Sequence, residues 1–212
     1  MAPRNPATGT PARWIAGVCL SALLAIALLG CASSPHGGGG LDEIERLYRD
    51  YRAQRYRQVY DRAARLRRAS SPPKSQEAAY LAGIAAVRLG RAQDALGHLT
   101  HATTSREADL AARARAEVGL LHLERRRFHL AEQYLLDAAP GLGGNDRARA
   151  YLHAAAAQQH LGRWARADRT LEQAEAAAES SSLRRQILQR KRYRAFTLQL
   201  GAFSKRSNAD EL

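Results

Sequence analysis

Cysteine is nearly absent from this 212-residue chain: there are two, Cys19 and Cys31. A disulfide framework, which small secreted folds build from several paired cysteines, is excluded. Acid is also short, with 33 lysines and arginines against 20 aspartates and glutamates and a formal net charge of +13. Such a balance suits polyanionic partners, nucleic acid or anionic lipid head groups among them. No apolar stretch reaches the roughly 20 residues that a membrane-spanning helix needs; the longest, Trp14 to Leu29, falls short. Catalytic signatures are missing too: no nucleophile elbow, Walker loop, HExxH or paired carboxylates in a glycine-rich context occurs. A protein that is not an enzyme is expected. Seven histidines are present, and His98 with His101 has the i, i+3 spacing of one helix face. A third ligand is lacking, so neither a metal nor another cofactor is expected.

What the chain does carry begins at its N-terminus. Arg4 and Arg13 lie in a region without acid, and the apolar run closes on Leu28-Leu29-Gly30-Cys31. A basic start, an apolar middle and a small residue before the break are the parts of a secretory signal. The small residue ahead of a cysteine resembles the bacterial lipobox. That resemblance implies cleavage before Cys31 by signal peptidase II, acylation of Cys31 and attachment to the lipid bilayer. Ala32 rather than aspartate after the cysteine resembles the Gram-negative pattern for delivery to the outer membrane, facing the periplasm. Residues 1–30 are thus read as a lipoprotein signal peptide, and 31–40 as the lipidated cysteine and a flexible tether with four consecutive glycines. Loss of residues 1–30 removes Arg4, Arg13 and Cys19, leaving a charge of +11 and one acylated cysteine. Nucleic acid then drops out as a partner, because the signal directs the chain out of the cytoplasm.

Beyond the tether the sequence repeats with a step of 36 residues. Positions 56, 92, 128 and 164 read Tyr, Ala, Phe, Trp; the column three residues later reads Val59, Ala95, Ala131, Ala167. Further columns are Ala63, Leu99, Leu135, Leu171 and Leu66, Ala102, Ala138, Ala174, with Leu47, Gly83, Gly119 and Ala155 upstream. This alternation of small and large apolar residues resembles the tetratricopeptide repeat (TPR), whose usual period is about 34. The resemblance implies an all-α fold: a TPR-like solenoid of four helical hairpins over residues 41–181. The two extra residues per repeat are placed between hairpins. The first repeat departs from the pattern at Leu47 and Val59, and the third has Arg126 where the helix-to-helix turn carries glycine at Gly90 and Gly162. A capping helix is expected over 182–194, with Ser182 as its N-cap and Ile187 and Leu188 facing the last repeat.

In tetratricopeptide arrays the first helices of the hairpins line a groove that takes a protein or peptide. By register, the resemblance places Arg52, Arg88, Glu124 and His160 in one groove-facing row and Tyr48, Ile84, Leu120 and Ala156 in another. The row is mixed in charge and names no particular peptide. Arginines crowd the first repeat instead, at 52, 55, 57, 62, 65, 67 and 68. There they form a solvated face within reach of an anionic membrane surface.

Residues 195–212 change character. Phe196, Leu198 and Leu200 alternate with Thr197 and Gln199, the period of a half-buried strand, and Gly201 follows. Ser204 then stands where a helix N-cap belongs. The run Phe-Thr-Leu-Gln-Leu-Gly-Ala-Phe-Ser resembles the opening strand of a SPOR domain, a small envelope module that binds peptidoglycan. The expectation is a truncated SPOR strand and helix start, with Gln199 and Ala202 matching the motif residues that contact glycan strands. Taken together, the expected protein is an outer-membrane lipoprotein whose repeats hold partners or space a wall-binding module from the bilayer. The alternative is an adaptor for assembly of an envelope protein complex, of outer-membrane insertion, pilus or division type, without glycan binding.

Overall fold

A computed structural model of the chain describes residues 39–192. The chain divides into two compact units, residues 1–39 and 40–212, and the described helices belong to the second apart from Gly39. The described residues are all-α. The elements are α1 (Gly39–Arg52), α2 (Tyr56–Ala69), α3 (Lys74–Arg88), α4 (Ala92–Ala102), α5 (Ala108–Glu124), α6 (Phe128–Ala138), α7 (Gly144–His160) and α8 (Trp164–Ala177), with a 3-10 turn at Ala139–Gly141. A ninth helix, α9, spans 181–192. Cys31 with its signal segment, and the strand expected at 195–212 with Gln199 and Ala202, lie outside the described residues. Helix α1 begins at Gly39, inside the stretch read as tether; first-turn amides have no intrahelical partner in any helix, so glycine is tolerated there.

Each even-numbered helix starts 36 residues after the last, at Tyr56, Ala92, Phe128 and Trp164. Every residue of the four columns through Leu47, Val59, Ala63 and Leu66 is buried, down to Ala155, Ala167, Leu171 and Ala174, while the column of Tyr56, Ala92, Phe128 and Trp164 at the helix starts is half-buried. The columns also explain one another. In the second hairpin a Cβ on Gly83 would stand 2.5 Å from Leu99 Cγ, and in the third a Cβ on Gly119 would stand 2.6 Å from Leu135 Cγ. The missing side chain on one helix is the space filled by leucine on the other. In the first hairpin the sizes are exchanged, with Leu47 fully buried in the cluster that holds Ala63. Leu47 is therefore a complementary swap. Burying one such leucine contributes roughly 1.5–3 kcal/mol.

The turn within every hairpin has three residues and one conformation. Gln54, Gly90, Arg126 and Gly162 all adopt positive φ, at 60, 70, 57 and 71°. After each comes an arginine (Arg55, Arg91, Arg127 or Arg163) whose amide donates back across the turn to the carbonyl of Asp50, Ala86, His122 or Gln158 at 2.8–3.0 Å. This six-to-one bond closes the helix in the manner of a Schellman motif. The turn keeps its shape at Arg126 even without glycine, at the steric cost of a left-handed residue. Inter-hairpin connections are longer and varied, which is where the extra residues of the period fall.

First helices also meet first helices: α3 touches α5, and α5 touches α7. At the far end α9 buries Leu183 and Ile187 in the cluster holding Leu171 and Ala174. Two details of the expected cap are corrected. Ser180, not Ser182, is the N-cap, its Oγ accepting the Leu183 amide at 3.3 Å; the Asn145 carboxamide oxygen accepts the Glu179 and Ser180 amides at 3.0 Å and draws the helix start forward. Leu188 points outward and is 43% exposed. Spacing of i, i+4 from Leu183 selects Ile187, and the next residue is rotated off that stripe.

Candidate functional site: a groove along the first helices

Two adjoining hollows run over the odd-numbered helices. One is lined by Tyr51 of α1, by Ile84, Val87 and Arg88 of α3, and by Glu117, Leu120, Leu121 and Glu124 of α5. The next shares Glu117 and Leu120 and continues over Tyr80, Arg113 and Ala116 to Asp146, Arg149, Ala150 and His153 of α7. A third hollow takes up at His153 and reaches Gln186, Gln189 and Arg190 of α9. The shared residues make one groove that passes from α1 to α9.

The expected groove residues separate into two groups. Ile84, Arg88, Leu120 and Glu124 lie together in the first hollow. Tyr48, half-buried, is pushed up to about 12 by burial and by the Glu77 carboxylate beside it. Ala156 is buried, and Arg52 is exposed at the end of α1. His160 stacks on Phe128 with ring centroids 4.4 Å apart and 9° between planes, which occupies it as a packing residue of α6 and α7. Residues not expected in the groove are Tyr51, Tyr80, Arg113, Glu117, Arg149 and His153. The same 36-residue step connects several of them: Arg113 with Arg149 and Arg185, Glu117 with His153 and Gln189.

Most charged groups of the groove already have partners. Arg88 Nε donates to the Tyr51 hydroxyl at 3.2 Å. Arg113 pairs with Asp109 at 2.9 Å and Arg149 with Asp146 at 2.7 Å. Glu117 differs. Burial holds its carboxyl above the usual carboxylate value, with Arg88 working the other way, and no hydrogen bond from the described residues stabilises the charge. Tyr80 is raised by burial and then by Glu117. His153 is lowered by burial, with Arg190 and Arg149 adding to the effect.

Outside the groove, the second helices are tied by the arginines that follow the turns. Arg91 lies over the Tyr60 ring, 5.0 Å from its centroid. Arg163 pairs with Glu132, a carboxylate only 5% exposed that also accepts from Arg166 and Gln158, each at 3.1 Å. Among the described residues no three His, Cys, Asp or Glu side chains converge on a common point. Likewise, no described helix is long and apolar enough to cross a membrane. Compared with family models and with curated proteins, the chain gives no match.

Proposed function

We propose that this chain is a tetratricopeptide-like scaffold lipoprotein of the bacterial outer membrane whose groove holds a segment of a partner protein. The observation that carries this is the continuity of the groove: three hollows share lining residues across α1, α3, α5, α7 and α9. Stacked hairpins present their first helices as one surface, which suits an extended peptide better than a small molecule. The lipobox at Cys31 supports an acylated anchor, and the segment around Gln199 and Ala202 supports a peptidoglycan-binding module beyond the repeats. Binding, rather than catalysis, is the role these parts share.

Two measurements test it. Photo-crosslinkers placed at Leu120 and Ala150 in the lipidated chain should give partner adducts in cells, and the same probe at the outward Gln133 should not. Equal labelling at all three positions sinks the groove. Separately, the full chain should be retained on amidase-treated sacculi and the Gln199→Ala variant should be retained less. Retention no better than that of a chain ending at Arg194 leaves the assembly-adaptor alternative, with no glycan binding.

A further inference from the structure

We propose that the hollow between α1, α3 and α5 seats a lysine or arginine side chain of the bound peptide, with Glu117 as its counter-charge and Val87 and Leu120 receiving apolar neighbours. The proposal rests on the groove being a peptide-binding surface and specifies what it selects.

Two carboxylates, Glu117 and Glu124, line this hollow against a single guanidinium. That guanidinium, Arg88, is exposed and already donates to Tyr51, so it gains little from a further partner. Glu117 is the group left short: half-buried in the wall of this hollow, its carboxylate has gained no donor from the described residues. A carboxylate partly withdrawn from water and without a donor is less stable than a paired one. The class of occupant decides whether that cost is relieved. An apolar side chain would remove more water from Glu117 and return nothing. An acidic one would meet two like charges. A cation supplies the missing donors, and arginine can do so with two parallel N–H bonds. A metal ion lacks a third ligand here. The half-exposed apolar walls of Val87 and Leu120 favour a peptide over a free amine, because a small hydrophilic cation leaves them uncovered.

The test is selection of a random peptide library displayed on phage against the full chain, Glu117→Gln and Leu120→Arg, with circular dichroism melts checking that each variant folds. Peptides enriched on the unmodified chain should carry a basic residue beside apolar ones. Replacing it by norleucine should weaken binding about tenfold or more on the unmodified chain and leave binding to Glu117→Gln unchanged. Enriched peptides without a basic residue, or an equal loss on both chains, overturn the cation while leaving the groove intact. No enrichment, or peptides that bind Leu120→Arg equally well, overturns the groove and the cation together.

Discussion

Arg163, at the start of α8, reaches back to Glu132 in α6, a separation of 31 residues that also sets Arg91 over Tyr60. A cation at a helix N-terminus is electrostatically misplaced, by roughly 0.3–1 kcal/mol. All four second helices nevertheless begin after an arginine, at 55, 91, 127 and 163, and none of these has a side-chain capping bond. The arginines are there for what they touch. Three have a partner in a preceding element: Asp50 for Arg55, the Tyr60 ring for Arg91, and Glu132 for Arg163.

Arg163→Ala should therefore destabilise the fold more than Arg166→Ala, although both contact the same carboxylate. Arg163 is 38% exposed and Arg166 56%, so solvent screens the second contact more. The expected losses in urea unfolding are about 1–2 kcal/mol for Arg163→Ala and less than about 1 kcal/mol for Arg166→Ala. Equal losses would mean that Glu132 does not discriminate between them.

The turn residues carry a prediction of opposite sign. Arg126→Gly and Gln54→Gly should each stabilise the chain, because both residues occupy a left-handed conformation that glycine adopts without steric cost. Part of the gain is lost to a more flexible unfolded chain, leaving about 0.5–1 kcal/mol. Gly162→Ala should cost about 1 kcal/mol, although nothing lies within 4 Å of the added carbon. Thermal melts of the three variants decide it, and a loss at Arg126→Gly would show that its side chain outweighs its backbone.

Complementary sizes across each hairpin predict non-additivity. Gly83→Leu alone should cost about 3 kcal/mol or more by overpacking, since even a Cβ there lies 2.7 Å from Leu99 Cδ2. Leu99→Ala alone should cost about 2–5 kcal/mol. The double variant reproduces the Leu47 and Ala63 arrangement of the first hairpin, and its loss should fall below the sum by more than about 1 kcal/mol. A simple sum in denaturant unfolding would mean that the exchange does not repack.

The apolar columns showed the fold in the sequence because burial constrains them in every hairpin, Leu47 included once Ala63 is set beside it. The arginine column lay in the same register, as did the left-handed positions 54 and 126. Neither is apolar, and their meaning depends on a turn conformation that residue type does not state. The groove was half legible. Ile84, Arg88, Leu120 and Glu124 follow from register alone, whereas Glu117 and His153 lie one to two turns earlier on α5 and α7, where neighbouring hairpins close over them. His160 stacks on Phe128 of a different helix, a partner that register along its own helix does not state.

His153 predicts a pH dependence. Its folded pKa is depressed below 6.5, first by burial and then by Arg190 and Arg149. The unfolded chain thus binds the proton more readily, so the stability this group contributes is present above about 6.5 and lost as pH falls through the folded value. His153→Gln should leave the melting temperature unchanged near pH 8 and raise it relative to the unmodified chain near pH 5. A difference of the same size at both values would show packing rather than titration.

Glu117 has the opposite sign, and its prediction separates stability from binding. Its folded pKa is raised above 4.5 by burial, so the protonated form is favoured. Stability from this group is fully present below about 4.5 and is lost as pH rises through the folded value. Above the folded value the ionised carboxylate is then a standing cost to the empty groove. Glu117→Gln should melt at a higher temperature than the unmodified chain at pH 7, with the difference vanishing near pH 4, while binding basic peptides more weakly. A residue kept only for packing would lose stability on substitution; one kept for a cationic partner gains it. A lower melting temperature for Glu117→Gln at pH 7 would place the carboxylate among the stabilising contacts of α5.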